Sequence, residues 1–120
     1  MTTTWTGSQP PDLISVTTAR SDGTGVVVVC GEVDCSTAPL VTAAVDSLLA
    51  TAPAEVVVDL CEVTFLDSAG LHALVTAHSR VGEQGARLRV RVATHAVLRP
   101  IQVTGLEDVL SVERAEAGAA

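Results

Sequence analysis

The spacing of apolar positions changes several times along the chain, and each change marks an element. Val26 to Cys30 and Val56 to Leu60 are short runs, rich in β-branched valine and bounded by turn residues, which predicts strands buried on both faces. Leu13 to Ala19 alternates more loosely and reads as a partly exposed strand. The stretch Arg20-Ser21-Asp22-Gly23-Thr24-Gly25 between them contains an Asp-Gly step, which supplies the positive φ of a tight hairpin turn. The first two strands are therefore expected to be antiparallel. Leu40, Ala44, Val45, Leu48 and Leu49 then recur at helical spacing, after Ser36 or Thr37 as N-cap and with Pro39 in the first turn, so an amphipathic helix ends near Ala52-Pro53. Leu71, Leu74, Val75 and Val81 mark one face of a second helix, closed by Gly82 or Gly85, and His78 falls on its apolar stripe as a boundary histidine.

Arg87 to Ala93 alternates Arg87, Arg89 and Arg91 with Leu88, Val90 and Val92, the pattern of a strand with one wet face or of an edge strand. The arginines read as a solvated strand face. Strand, helix and strand here should form a right-handed parallel unit. Thr94 to Gly105 has helical apolar spacing, but Pro100 clashes with the carbonyl four residues back, so this helix is expected to be kinked or to start late. Val109 to Val112 reads as a last short strand or helix. The pattern defines an α/β fold: a small mixed sheet of about four or five strands, the N-terminal strand antiparallel and the rest mainly parallel, with helices packed on it. One domain over residues 13–112 is expected, with flexible tails at 1–12 and 113–120.

A hydrophobic content of 48% excludes intrinsic disorder, and the core stock is Val, Leu and Ala, with Phe65 and Trp5 the only rings. Bases therefore find no stacking platform. Seven basic against 14 acidic side chains leave a net charge of -7, which offers nothing for nucleic-acid phosphates or anionic lipid headgroups to bind. The Thr/Ser/Pro-rich start has no positive region followed by an apolar run, and no segment approaches the roughly 20 apolar residues of a membrane span. A cytoplasmic protein is expected. Cys30, Cys35 and Cys61 are odd in number and lack metal-ligand spacing, so three free thiols are expected.

Chemistry in open α/β sheets collects outside the carboxyl ends of the parallel strands. Two segments fit that place: Gly31-Glu32-Val33-Asp34 after the second strand, and Phe65-Leu66-Asp67-Ser68-Ala69-Gly70-Leu71 between the third strand and the second helix. By position alone Asp67 and Ser68 read as a helix cap, and Asp34 as a turn former or a partner contact. The segments G-E-V-D-C-S-T-A-P, V-V-V-D-L-C-E-V-T-F-L-D-S-A-G-L and V-T-G-L-E-D-V-L, in this order and spacing, resemble the STAS-domain anti-sigma factor antagonists. The match runs from about Leu13 to Val112. The resemblance implies that Ser68 is the serine phosphorylated by an anti-sigma factor that is itself a kinase, with Asp67 as its acidic neighbour. It implies further that the unphosphorylated form binds that kinase and frees a sigma factor, and that a PP2C-type phosphatase restores this form. The docking surface would comprise Asp34, Asp67, Ser68, Ala69, Gly70, Leu71 and His72.

This chain departs from the family pattern at Ala69, where members often carry Ser or Thr, and at His72, where they often carry Gly. His72 lies one helical turn beyond Ser68, either as a plain surface histidine or as a contact for a phosphate there. A second reading keeps the STAS fold but makes the chain a docking subunit of a lipid-transport ABC ATPase. An enzyme with Ser68 as nucleophile is disfavoured, since no G-x-S-x-G elbow or third catalytic member is evident. No P-loop or G-x-G-x-x-G occurs, and no cofactor is expected.

Overall fold

In the computed structural model, which describes residues 2–6 and 14–115, the chain runs β1 (Thr2–Thr6), β2 (Ile14–Ser21), β3 (Thr24–Val33), α1 (Ala38–Leu49), β4 (Glu55–Leu66), α2 (Ser68–Glu83), β5 (Arg87–Val92), α3 (His95–Val103) and β6 (Val112–Arg114). The strands form one sheet in sequence order. β1, β2 and β3 are antiparallel neighbours, and β3 to β6 are parallel. The hairpin between β2 and β3 turns on Asp22 and Gly23, with φ of 49° and 81°, the doubly left-handed turn that suits a two-residue loop between twisted strands.

The architecture is the mixed α/β one that the sequence predicts, with a strand added at the first border and the last short strand set at Val112–Arg114 and not at 109–112. Thr2–Thr6 falls in the stretch expected to be a flexible tail, but it pairs with β2 along its whole length. Five residues dominated by β-branched threonine suit that edge, although their polarity hid them from an apolar-period search. The rest of residues 1–12 lies outside the described residues. At the other end Glu113 and Arg114, also expected to be tail, belong to β6, which begins at Val112 and pairs with β5. Residues 116–120 lie outside the described residues.

α1 packs on β2 and β3, and α2 on α1, β4 and β5. Under these helices lie Val16, Val27, Val29, Val56, Val58 and Val90, all fully buried. The side chain of Leu48 crosses Gly25 so closely that a Cβ there would stand 3.0 Å from its Cδ1. The opposite face of the sheet is wetter than expected: β4 is buried through Val56, Val57 and Val58, but in β3 Val26, Val28 and Cys30 are only half-buried. β5 is not an edge strand. Its arginines are not simply solvated either: Arg89 meets Glu55 at 3.0 Å and Glu113 at 2.7 Å, and Arg91 meets Glu113 at 3.1 Å and Asp59 at 3.5 Å. α3 packs against β4 and keeps Pro100 in its interior, starting at His95 rather than late. The Ala96 carbonyl thus has no amide four residues on to accept from.

Candidate functional site

The parallel register pairs Val33 with Leu66, so the residues that follow, Asp34 and Asp67, leave the sheet side by side at its carboxyl end. The Asp67 N–H donates to the Val33 carbonyl at 3.2 Å and ties the two loops together. Both segments singled out in the sequence are thereby brought to one place.

Each aspartate organises the start of a helix. Asp34 Oδ1 accepts from the Ser36 hydroxyl at 2.8 Å, the Ser36 N–H at 2.9 Å and the Thr37 N–H at 3.1 Å. These donors, the Ser36 hydroxyl foremost, hold its carboxyl below the usual carboxylate range. Thr37 occupies the N-cap position of α1, yet its hydroxyl donates to the Glu32 carbonyl and makes no cap bond, while the Ala38 N–H donates to the Asp34 backbone carbonyl at 2.7 Å. Asp67 caps α2 directly, its Oδ1 accepting from the N–H groups of Ala69 at 2.9 Å and Gly70 at 3.1 Å. Truncation to Asp67→Ala strands these donors and is expected to cost about 1–2 kcal/mol of stability, while Asp67→Asn retains most of it; denaturant unfolding of the two variants reads the difference.

Ser68 is the first residue of α2 and is exposed. Ala69 and Leu71 are half-buried against the core, and His72 is exposed. Gly70 is buried where α2 meets the ends of β3 and β4: a Cβ there would lie 2.4 Å from Leu66 Cδ1 and 3.1 Å from Val33 Cγ1. Only a residue without a side chain lets the helix start so close to the sheet, and this closeness sets the position of Ser68. Beside it a groove of about 500 Å³ runs between α1 and α2, lined by Cys35, Pro39, Thr42, Ala69 and His72 and bounded by the ion pair of Asp46 with Arg80.

Phe65 opens one of the two segments that the sequence assigns to this place, but it is counted there with the core stock and not with the docking residues. β4 has an extra residue relative to β3 at two places, the second between the pairs Gly31–Val63 and Glu32–Phe65. That bulge leaves Thr64 and Phe65 both exposed and sends Leu66 inward. The available signal was the adjacency of Phe65 and Leu66, since neighbours on a strand point to opposite faces. His78, expected at the core boundary, is exposed.

Cys30, Cys35 and Cys61 are free thiols, as expected. Burial pushes Cys61 up to about 11, helped by its hydrogen bond to Asp59, and burial with the nearby Glu62 raises Cys30 as well. Iodoacetamide at pH 8 should therefore label the exposed Cys35 first, with Cys30 behind it and Cys61 lagging at least tenfold in peptide mass mapping. Among the described residues no group of His, Cys, Asp and Glu is arranged to hold a metal ion. No helix among them is long and apolar enough to cross a membrane.

The sheet is of the mixed α/β kind, with a capped helix and an exposed serine at the ends of two parallel strands, and comparison with known proteins places the fold. The STAS domain family model matches residues 15–119, and the chain belongs to that family. It is 35% identical over 97 residues to the anti-sigma-F factor antagonist RsfB of Mycobacterium tuberculosis, covering 81% of this chain and 79% of the relative. The crystal structure of an anti-sigma factor antagonist from Mycobacterium paratuberculosis superposes with a TM-score of 0.77 at 35% identity, covering 86% of this chain and 87% of that one. The anti-sigma factor antagonist SpoIIAA in its unphosphorylated form shares the fold at 17% identity, with a TM-score of 0.72 over 83% of this chain and 87% of its own. The curated relatives carry the name anti-sigma-F or anti-sigma-B factor antagonist.

Proposed function

We propose that this chain is an anti-sigma factor antagonist that binds an anti-sigma factor kinase while Ser68 is unphosphorylated and is released when Ser68 is phosphorylated. The observation that carries the reading is the position of Ser68: exposed, first in α2, and beside the two aspartates at the carboxyl end of the sheet. A kinase can reach that hydroxyl without unfolding anything. The docking surface is then Asp34 with the run Asp67, Ser68, Ala69, Gly70, Leu71 and His72, in which Gly70 acts from below by setting the helix start.

Phosphorylation adds about -1.5 to -2 charges at neutral pH. A helix N-terminus ordinarily steadies such a group. Here the Ala69 and Gly70 amides already donate to Asp67, so the phosphate gains less from the first turn than its position suggests and meets the carboxylate that occupies those donors. The new charge is felt mainly by whatever protein faces the site. SpoIIAA, which shares this fold, is known in a phosphorylated form as well, which supports the reading. Removal of the phosphate by a PP2C-type phosphatase completes the cycle.

The test is incubation of the chain with purified anti-sigma factor kinases of its own organism and ATP, followed by mass mapping. Phosphate on Ser68 and nowhere else is the expected result. A kinase that binds the chain tightly but leaves Ser68 unmodified would refute the switch.

A further inference from the structure

Phe65 is the single phenylalanine of a chain with 2% aromatic residues, and its side chain contributes little to the core, being 47% exposed. It stands three residues before Ser68, so the two Cα atoms lie within about 11 Å of each other. Its neighbours are acidic. Glu32 is its register partner on β3 and is exposed, Glu62 is exposed on β4 itself, and Asp34 and Asp67 follow at the strand ends. Asp46, Glu55, Asp59, Glu107 and Glu113 are each paired with an arginine, whereas Glu32, Asp34, Glu62 and Asp67 form no ion pair among the described residues. The carboxyl end of the sheet thus presents one aromatic ring amid uncompensated negative charge.

We infer that Phe65 is the apolar anchor of the docking surface, inserted into a pocket of the partner protein that is rimmed by arginine or lysine. The inference rests on the proposed partner-switching role and adds to it the chemistry of the partner's face. Aromatic side chains at the centre of an interface carry a disproportionate share of binding energy, and a charged rim around them governs the rate and selectivity of encounter. A partner with a basic rim around an apolar hollow matches both features. A phosphate on Ser68 would then act by repelling nothing on that rim directly, but by displacing the docked geometry that keeps Phe65 seated.

The experiment measures binding to the purified anti-sigma factor kinases of the same organism by the wild type, Phe65→Ala, Phe65→Leu, Val103→Ala and Ser68→Asp, with thermal unfolding as the fold control. Val103, at the end of α3 and 74% exposed, is the more accessible apolar side chain and lies outside the proposed surface. Phe65→Ala is expected to weaken binding about 30-fold or more, Phe65→Leu less, and Val103→Ala not at all. The association rate of the wild type should fall steeply as salt is raised. Phe65→Ala binding within about threefold of wild type would overturn the anchor even if Ser68→Asp fails to bind, which leaves the phosphoswitch standing. An association rate indifferent to salt would overturn the basic rim. Failure of the wild type to bind any of these kinases would overturn the partner-switching role and this inference with it.

Discussion

Ser68→Asp is expected to weaken partner binding by about 30-fold or more while leaving the fold intact, and Ser68→Ala to bind like wild type but accept no phosphate. The asymmetry follows from where the hydroxyl sits. Placing a carboxylate at the first position of α2 is favourable for the helix itself, whose N-terminus welcomes negative charge, so thermal unfolding should stay level or rise slightly. The loss must therefore appear at the interface, where a carboxylate desolvated against a surface fitted to a neutral hydroxyl is left without a partner and costs several kcal/mol. Because Asp67 already holds the Ala69 and Gly70 amides, the added charge has few local donors to absorb it. Calorimetry or surface plasmon resonance with the cognate kinase reads the affinity, and circular dichroism reads the fold. Ser68→Asp binding within threefold of wild type would show that charge at this position is not the signal.

Gly70→Val is expected to destabilise the protein by about 3 kcal/mol, the upper end of ordinary overpacking, lowering its melting temperature on the order of 10–15 °C. The Cβ alone would stand 2.4 Å from Leu66 Cδ1, with Leu66 Cγ and Val33 Cγ1 both at 3.1 Å, and Leu66 and Val33 are buried with nowhere to retreat. Relief requires α2 to shift away from the sheet, which moves Ser68 with it. Gly70→Ala is the milder probe: better helix propensity offsets part of its clash, so it should unfold at an intermediate temperature. A Gly70→Val protein as stable as wild type would show that the helix start has more room than the packing indicates.

Much of this arrangement was legible in the amino-acid order because its signals are local. Asp22-Gly23 can hardly be anything but a tight turn, and the Val-rich runs between turn residues announce parallel strands. The loops carrying Asp34 and Ser68 could be assigned to one end of the sheet from chain direction alone. What escaped depends on pairing between distant segments. Thr2–Thr6 has no apolar period and becomes a strand only because β2 offers an unpaired edge. Glu113 and Arg114 look like the start of a polar tail until Arg89 and Arg91 stand opposite. Phe65 counts as core by hydrophobicity, and only a bulge set by the register between β3 and β4 turns it outward. The cap on α2 was legible by position, and of the two residues that could form it the structure gives the role to Asp67.

The rungs that join Glu55, Arg89, Glu113, Arg91 and Asp59 also decide what the sheet border can do. A parallel strand left bare invites another polypeptide to extend it, and β5 would be such a strand if the chain stopped at Leu110. Three residues of β6 cover it instead, fastened by one carboxylate gripping two guanidinium groups. So short and so charged a terminal strand makes a poor template for further growth, and the molecule is protected on that flank against fibrillar assembly.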